Sequence, residues 1–533
     1  MAEKKEVLEP PQVRIPAVFN AASYFVDANL EGGRGGHTAI ICEDKTYTYS
    51  QVAEMVNRFG NALLNLGIQL EQRLLVVMQD CPEYAAAFFG TMKIGAVPVP
   101  SNTLLRTPDY SYLLNDSKAV GLVVSDALLP VLHEAIVQSG YLKYVIVVGE
   151  GELPQISGKK TYAFNSLIES ADAALEAEPT SKDDTAFWLY SSGTTGFPKG
   201  AVHRHQDMVY CTEYYAKPTL GITENDRTFS VAKLFFAYGL GNGLYFPFAV
   251  GATTILLPGR PEPAKIFELC QKHQPTLFFS VPTNYAALLA ISESNPEAYK
   301  SAMASVRWGI SAGEALPKHI WERFHERFGV QILDGIGSTE ILHIFISNKE
   351  GAIKPGSSGL LVPGYEAKIL DENGQEAGDN QEGMLWVKGE STAVYYWNKW
   401  EKSKATMVGE WIATGDRYSR DEENFYWYHG RNDDMIKAGG IWVSPVEVEN
   451  ALTEHTAVVE AGVVGVLDAD NLVKPYAYVV LKEGYLAGVE IEAALKQYVK
   501  DKIAHYKAPR WIEFVEVLPR TATGKLQRFK LRK

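Results

Sequence analysis

The stretch Tyr190-Ser191-Ser192-Gly193-Thr194-Thr195-Gly196-Phe197-Pro198-Lys199-Gly200 gathers hydroxyl side chains, glycines and one lysine directly after the strand-like run TAFWLY. Glycines let a backbone approach a ligand closely, and consecutive N–H groups with Ser and Thr hydroxyls can surround phosphate oxygens. Lys199 adds a compact positive charge. Pro198 stands where a GxxxxGK loop needs glycine, so this is not a Walker A sequence. Alone, such a loop also reads as a hydroxyl-rich surface turn. Further stretches carry polar groups that chemistry could use: SAGEALP (311–317), DGIGSTE (334–340), TGD (414–416), GRNDDMIKAGG (430–440) and PRTATGK (519–525). Taken singly, several of them have a plain structural reading. A Ser or Thr with a nearby Glu is a common helix start, Gly-Asp is turn chemistry, and TGKLQRFKLRK is a basic tail in solvent. His343 in the apolar run ILHIF reads as a satisfied core histidine, and His203 and His205 read as structural.

These residues need a scaffold, and the hydrophobic pattern predicts one. The segment YSQVAEMVNRFGNALLNLG has helical spacing and stops at Gly67. RLLVVMQD reads as a buried strand, PEYAAAFFGTMKIGAVPVP as a helix leading to another, and VGLVVSD and YVIVVG continue the series. Val- and Ile-rich strands alternating with helices predict a parallel, helix-covered sheet, hence an α/β fold. TAFWLY, GATTILL, PTLFFSVP and SVRWGIS read as further strands of the same type. After about Ser357 the texture changes to short strands with turns, and DENG between YEAKIL and GMLWVKG reads as a hairpin turn. From Glu447 a compact α+β pattern follows. The seam falls near Gly430 to Gly440, which predicts a large multi-subdomain body over residues 1–432 and a small mobile α+β domain over 433–533.

The chain has 533 residues, 46% of them apolar, 22% charged and 11% aromatic, the balance of a globular multidomain enzyme. Lys and Arg total 51 against 64 Asp and Glu, and the net charge of −13 argues against a protein that coats nucleic acid or anionic membrane. Cys42, Cys81, Cys211 and Cys270 show no metal-ligand or disulfide spacing and read as reduced thiols of a cytoplasmic protein. The start MAEKKEVLEPPQV lacks the apolar stretch of a signal peptide, and no run approaches a membrane span.

Together and in this order, the six motifs resemble the adenylate-forming superfamily of acyl- and aryl-CoA synthetases, luciferases and peptide-synthetase adenylation domains. The resemblance covers nearly the whole chain. Within it, AKLFFAYGLGNG (232–243) and GSTEILHIF (337–345) are most similar to benzoate-CoA ligases. The resemblance implies a large body, a small rotating domain, and a two-step reaction in which ATP activates a carboxylate and coenzyme A takes the acyl group. Magnesium is the implied counter-ion, with Glu340 its carboxylate ligand and Thr339 a phosphate-contacting hydroxyl. Ser191, Ser192, Gly193, Thr194, Thr195, Gly196 and Lys199 would hold phosphates. Gly313, Glu314 and Asp334 would line the adenine, and Asp416 and Arg431 would hold ribose and phosphate. Lys525 matches the lysine that bridges carboxylate and α-phosphate in the first step, and Asp433 the hinge. Gly439 and Gly440 would wall the tunnel for the pantetheine arm. Many relatives carry an aromatic residue where this chain has Ile336, so adenine would meet an aliphatic surface there.

Phe236, Ala237 and Tyr238 match the segment that gates and lines the acyl pocket, Phe236 standing where many aryl-CoA synthetases place a histidine. Gly337 is expected to leave room for a flat ring, Ile344 to supply an apolar wall, and His343 to contact the substrate carboxylate or a ring substituent. No charged partner for a substituent is evident, which favours unsubstituted benzoate or a small analogue. Another aryl or cycloalkyl acid, or a stand-alone adenylation enzyme loading a carrier protein, is the alternative. The partners implied are small molecules, without nucleic acid or membrane, and a homodimer is a candidate assembly.

Overall fold

Buried Val- and Ile-rich strands need cover on both faces, and helices supply it. A computed structural model describes residues 11–193, 196–438, 441–468, 473–503, 505–520 and 526–532, with backbone alone at 192–193, 196–197, 433, 437–438, 441–442 and 506. One all-parallel sheet runs in the spatial order Val97–Pro100, Arg73–Val77, Gly121–Ser125, Tyr144–Val148, Lys160–Ala163. Helix Tyr49–Asn65 starts at a capping box in which the Thr48 side chain accepts from the Gln51 amide and the Gln51 side chain takes the Thr48 amide. Its stripe of Val52, Val56, Phe59 and Leu63 is fully buried, worth about 1.5–3 kcal/mol per side chain. It packs closely on helix Pro82–Lys93: a Cβ at Gly90 would stand 2.7 Å from the Val56 carbonyl oxygen, so Gly90→Ala would push the helices apart. The chain leaves the first helix at Gly67, whose φ of +80° suits glycine.

The second sheet holds the site. Its order is Leu360–Leu361, Ile344–Ser347, Ile332–Gly337, Trp308–Ser311, Leu277–Ser280, Arg227–Ser230, Thr253–Leu256, Thr38–Cys42, Lys45–Thr48. The middle pairs are parallel and the outermost pairs antiparallel. GATTILL, PTLFFSVP and SVRWGIS lie in its parallel part, as the pattern predicts. TAFWLY does not. Strand Thr185–Gly193 pairs antiparallel with Gly196–Arg204 in a separate two-stranded sheet. A parallel partner requires a long crossover, whereas this strand turns straight back through the phosphate loop. A buried apolar run reads the same in either setting.

Beyond this body, strands Glu366–Leu370, Gly383–Lys388, Met407–Val408, Trp411–Arg420 and Tyr426–Arg431 form an antiparallel sheet. The DENG turn is closed by Asp371 N–H donating to Gln375 O at 2.8 Å and Gly374 N–H to Asp371 O at 3.1 Å. Towards the C-terminus, strands Val458–Leu467, Val473–Leu481 and Trp511–Phe514 pack with helices Pro445–Thr453 and Val489–Lys502 around a core of their own, including Val448, Leu452, Val463, Val479, Leu495 and Val499. All four cysteines are free thiols. Among the described residues no helix is long and apolar enough to cross a membrane.

Candidate nucleotide and acyl site

Strand Ile332–Gly337 ends in a short helical turn, Thr339–Ile341, that presents Glu340 towards the phosphate loop. Glu340 Oε1 accepts from the Tyr396 hydroxyl at 2.7 Å and from Ser191 Oγ at 3.2 Å. Lys199 Nζ sits 4.4 Å from the centre of the Tyr396 ring and donates to its hydroxyl oxygen at 3.4 Å. Desolvation pushes the Glu340 carboxyl up, but the Lys199 charge and the donors around it outweigh burial and hold it below the usual carboxylate range. Glu340 is therefore ionised at neutral pH. Ser191, Lys199, Thr339 and Glu340 come together as the motifs imply. Tyr396 is an addition that the motifs do not name; its only signal is the aromatic run YYW at 395–397.

His203 also proves to be part of this arrangement. It is completely buried, its Nε2 donating to the Thr339 carbonyl at 2.8 Å and its Nδ1 facing Asp207 Oδ2 at 3.0 Å. Asp207 is fixed in turn by the Arg204 amide at 3.0 Å and guanidinium at 3.1 Å. The histidine thus ties the return strand of the phosphate loop to the backbone that carries Glu340. The four-residue spacing of His203 and Asp207 was the available signal. His205 is structural: Nδ1 accepts from the Ala21 amide at 3.1 Å, and burial pushes its pKa down to about 4.

The adenine motifs meet at adjacent strand ends, Ser311 and Asp334 being register partners. Burial pushes Asp334 up to about 8, against the opposing influence of the Ser311 hydroxyl and the Leu316 and Gly335 amides. Asp334 is thus largely a neutral acid at pH 7. Its Oδ1 has no hydrogen-bond partner among the described residues, which leaves an acceptor for an amino group. Gly313 has a φ of +94°, a conformation that favours glycine. Ile336 is half-buried on the same strand, an aliphatic surface as the sequence implies.

TGD and GR occupy neighbouring strands, with Asp416 directly opposite Arg431. Arg431 Nη1 donates to Asp416 Oδ1 and to the Thr414 carbonyl, both at 3.0 Å. The Asp416 charge holds the guanidinium pKa above its usual value. Within its strand, Gly415 sits between Thr414 and Asp416 with a φ of +75°, and a Cβ there would stand 2.8 Å from Arg431 Nη2. From the C-terminal domain, Arg520 Nη1 reaches Glu314 Oε1 at 3.8 Å.

The acyl motifs converge around His343. Its Nε2 donates to the Tyr238 carbonyl at 3.2 Å and to Asn242 Oδ1 at 3.1 Å, and its ring lies 5.6 Å from those of Tyr238 and Tyr215. Burial pushes its pKa down to about 3, the Tyr238 carbonyl opposing, so the ring is neutral with its one proton committed. Its ring N–H is thus already engaged within the protein. Phe236 caps the short helix Ala237–Leu240 and meets Phe235 edge-on at 4.4 Å. Ile344 is buried opposite Gly337 across the antiparallel strand pair. Gly337 is required by the backbone as well, because its Cβ would stand 2.6 Å from the His343 carbonyl oxygen. Leu342, between Glu340 and His343, has φ +73° and ψ −40°, a strained turn for a branched residue that sends these two side chains to different sites. Thr194, Thr195, Gly439, Gly440 and Lys525 lie outside the described residues, as do the side chains of Ser192 and Asp433; Gly193 and Gly196 are register partners.

The chain matches the AMP-binding enzyme family over residues 27–397 and the AMP-binding enzyme C-terminal domain over 447–525. It is 50% identical to a benzoate–CoA ligase of Thauera aromatica over 98% of this chain and 97% of that protein. Its fold is similar to the crystal structure of a benzoate CoA ligase from Burkholderia xenovorans LB400, at 47% identity and a TM-score of 0.88, covering 97% of this chain and 100% of that one. It is likewise similar to the anthranilate CoA ligase AuaEII in complex with anthranoyl-AMP, at 42% identity and a TM-score of 0.91, covering 97% of each chain. Matched by these two family models across most of its length, and half identical to a near full-length relative, the chain belongs to the AMP-binding enzyme family.

Proposed function

We propose that this enzyme converts benzoate, ATP and coenzyme A to benzoyl-CoA, AMP and pyrophosphate through benzoyl-AMP. The observation that carries the reading is the path of residues 334–344, which runs from a neutral Asp334, through the ionised Glu340, to His343 in an apolar surround. One continuous segment thus borders three neighbouring sites for base, phosphate and acyl group. The near full-length similarity to a benzoate–CoA ligase supports the acid, as does the uncharged setting of Phe236, Ala237, Tyr238, His343 and Ile344.

In the first step a carboxylate oxygen bonds to the α-phosphorus as the bond to pyrophosphate breaks. Two anions must meet, so the work is positioning and charge neutralisation. Ser191 and Lys199 hold the phosphates, with Ser192, Gly193, Thr194, Thr195 and Gly196 completing the loop. Asp416 accepts from the ribose hydroxyls, and Arg431 braces Asp416 while facing the phosphates. Asp334 accepts the adenine amino group beside Gly313 and Glu314. The donor set fits magnesium: a hard, ionised carboxylate, Glu340, among hydroxyls. When bound, magnesium neutralises phosphate charge, with Glu340 its protein ligand and Thr339 contacting phosphate. Lys525 supplies the ammonium that bridges carboxylate and α-phosphate.

The domains divide at 432/433, and rotation about Asp433 brings Gly439 and Gly440 to the pantetheine arm, whose thiol sulfur displaces AMP from the acyl carbon. Dependence on ATP and coenzyme A, with free thiols, suits the cytoplasm. The test is a panel of benzoate, hydroxybenzoates, aminobenzoate and cyclohexanecarboxylate, scored as kcat/KM for CoA-dependent AMP formation. Benzoate is expected to rank first. A higher value for a substituted ring would reassign the substrate, and AMP release without a CoA thioester would point to carrier loading.

A further inference from the structure

Tyr396 stands between two opposite charges that ATP must separate or recruit. It is 2% exposed, and its hydroxyl takes a hydrogen bond from Lys199 while giving one to Glu340. The ring beneath the ammonium adds a cation–π contact. The tyrosine cannot drift, because its run is zipped to the return strand of the phosphate loop. Val202 N–H donates to Tyr395 O at 3.0 Å, Trp397 N–H to Gly200 O at 2.8 Å, and Ser403 Oγ accepts the Tyr396 amide at 2.9 Å. The Trp397 indole N–H anchors the far side on the Asp116 carbonyl at 2.8 Å. One rigid hydroxyl therefore fixes both the lysine at the end of the loop and the carboxylate that also receives Ser191 from its beginning.

Remove that hydroxyl and an ammonium and a carboxylate face each other in a half-buried site. Opposite charges there collapse into a direct pair that incoming polyphosphate and its cation have to break. We propose that Tyr396 is a positioning residue for magnesium–ATP: its hydroxyl keeps Lys199 and Glu340 apart and aimed, so that each meets its part of the polyphosphate without prior rearrangement. The inference rests on the functional reading above for the roles of Lys199 and Glu340. It adds a residue that acts on polyphosphate and metal, not on the base, ribose or acyl group.

The test is Tyr396→Phe, which keeps the ring and loses the hydroxyl, studied in the full-length enzyme by calorimetric titration. The expected result is about tenfold weaker binding of a non-hydrolysable ATP analogue with magnesium, and a higher magnesium midpoint for that binding. Affinity for AMP, and conversion of supplied benzoyl-AMP to thioester, stay within twofold and report that the variant is folded. Unchanged affinity and midpoint for the analogue overturn the proposal, and so does a parallel loss for AMP, which marks a structural role only. Wild-type enzyme that binds magnesium–ATP yet forms no benzoyl adenylate sinks the functional reading alone, and leaves the role of Tyr396 in nucleotide binding to be judged by the titration.

Discussion

Arg520 of the C-terminal domain lies 3.8 Å from Glu314 of the adenine motif, so the residues that lead into the Lys525 loop are held against the nucleotide side of the body. Arg520 is also paired with Glu460 on its own domain, which makes it a strut between the C-terminal domain and the Glu314 segment of the body. On the proposed function, that contact would hold the C-terminal domain in place for the adenylation step.

Arg520→Ala is expected to slow pyrophosphate release from ATP and benzoate roughly two- to fivefold, the size of a partly exposed ion pair. Thioester formation from supplied benzoyl-AMP should change little. The loss should shrink as salt is raised, because a half-exposed pair is screened. An equal loss in both half-reactions would show that the strut does not belong to the first step.

The basic tail supplies a second expectation. Arg528 Nη2 meets Glu449 Oε2 at 2.5 Å and Nη1 lies 3.5 Å from Asp434, while Arg532 reaches Asp434 at 2.7 Å. Both cations fold back onto Asp434, next to the seam expected at 432/433. Arg528→Ala leaves two mostly buried carboxylates without that partner, and should destabilise the C-terminal domain by about 3 kcal/mol. The measurement is thermal unfolding followed by a probe within residues 445–514. A midpoint unchanged within a degree would mean that the tail is held by its apolar contacts alone.

These cases show what the sequence could and could not disclose. Runs such as RLLVVMQD announce themselves because a strand buried on both faces must be apolar throughout, and the motifs that touch one ligand are spaced by strand ends. Neighbours across the sheet are less legible. Nothing local in YYW says that Tyr396 will meet Glu340, since the contact depends on which strand edge the run zips to. TAFWLY was assigned to a parallel sheet because burial, not partner direction, sets its composition. The sequence pattern of Gly337 suggests room for a flat ring, but it does not announce the His343 backbone that a Cβ there would also meet just before the next strand. Arg528 looked solvated because its acidic partners, Glu449 and Asp434, lie far away in sequence.

Asp334 makes the stability of the enzyme depend on pH in a definite direction. Its folded pKa of about 8 lies above that of an unfolded aspartate, so the unfolded chain binds fewer protons than the folded one above about pH 4. Stability contributed by the neutral acid is full below the unfolded pKa and is lost as pH rises towards 8. Asp334→Asn, which does not ionise, should therefore gain stability relative to the parent from about pH 4 to pH 8, with the gain constant above that. Urea unfolding of the ligand-free proteins at pH 5, 7 and 9 reads the difference. A gap independent of pH would mean that Asp334 is ionised in the fold.

On the proposed function Ala237 is expected to govern substrate choice. It is half-buried, follows Phe236, and shares its short helix with Tyr238, whose carbonyl fixes the neutral His343. Phe236, Ala237, Tyr238, Gly337 and Ile344 carry no charge and His343 is neutral, so on the proposed function discrimination among aryl acids rests on volume. A methylene or two in an apolar pocket is worth about 1–3 kcal/mol, roughly tenfold or more in kcat/KM. Ala237→Val should therefore lower kcat/KM for ring-substituted benzoates about tenfold more than for benzoate. The effect should appear in the adenylation step, with ATP affinity unchanged, because Glu340, Lys199 and Asp416 are untouched. A substrate ranking identical to the parent's would remove Ala237 from the acyl pocket and move the specificity to the walls formed by Tyr238 and Ile344.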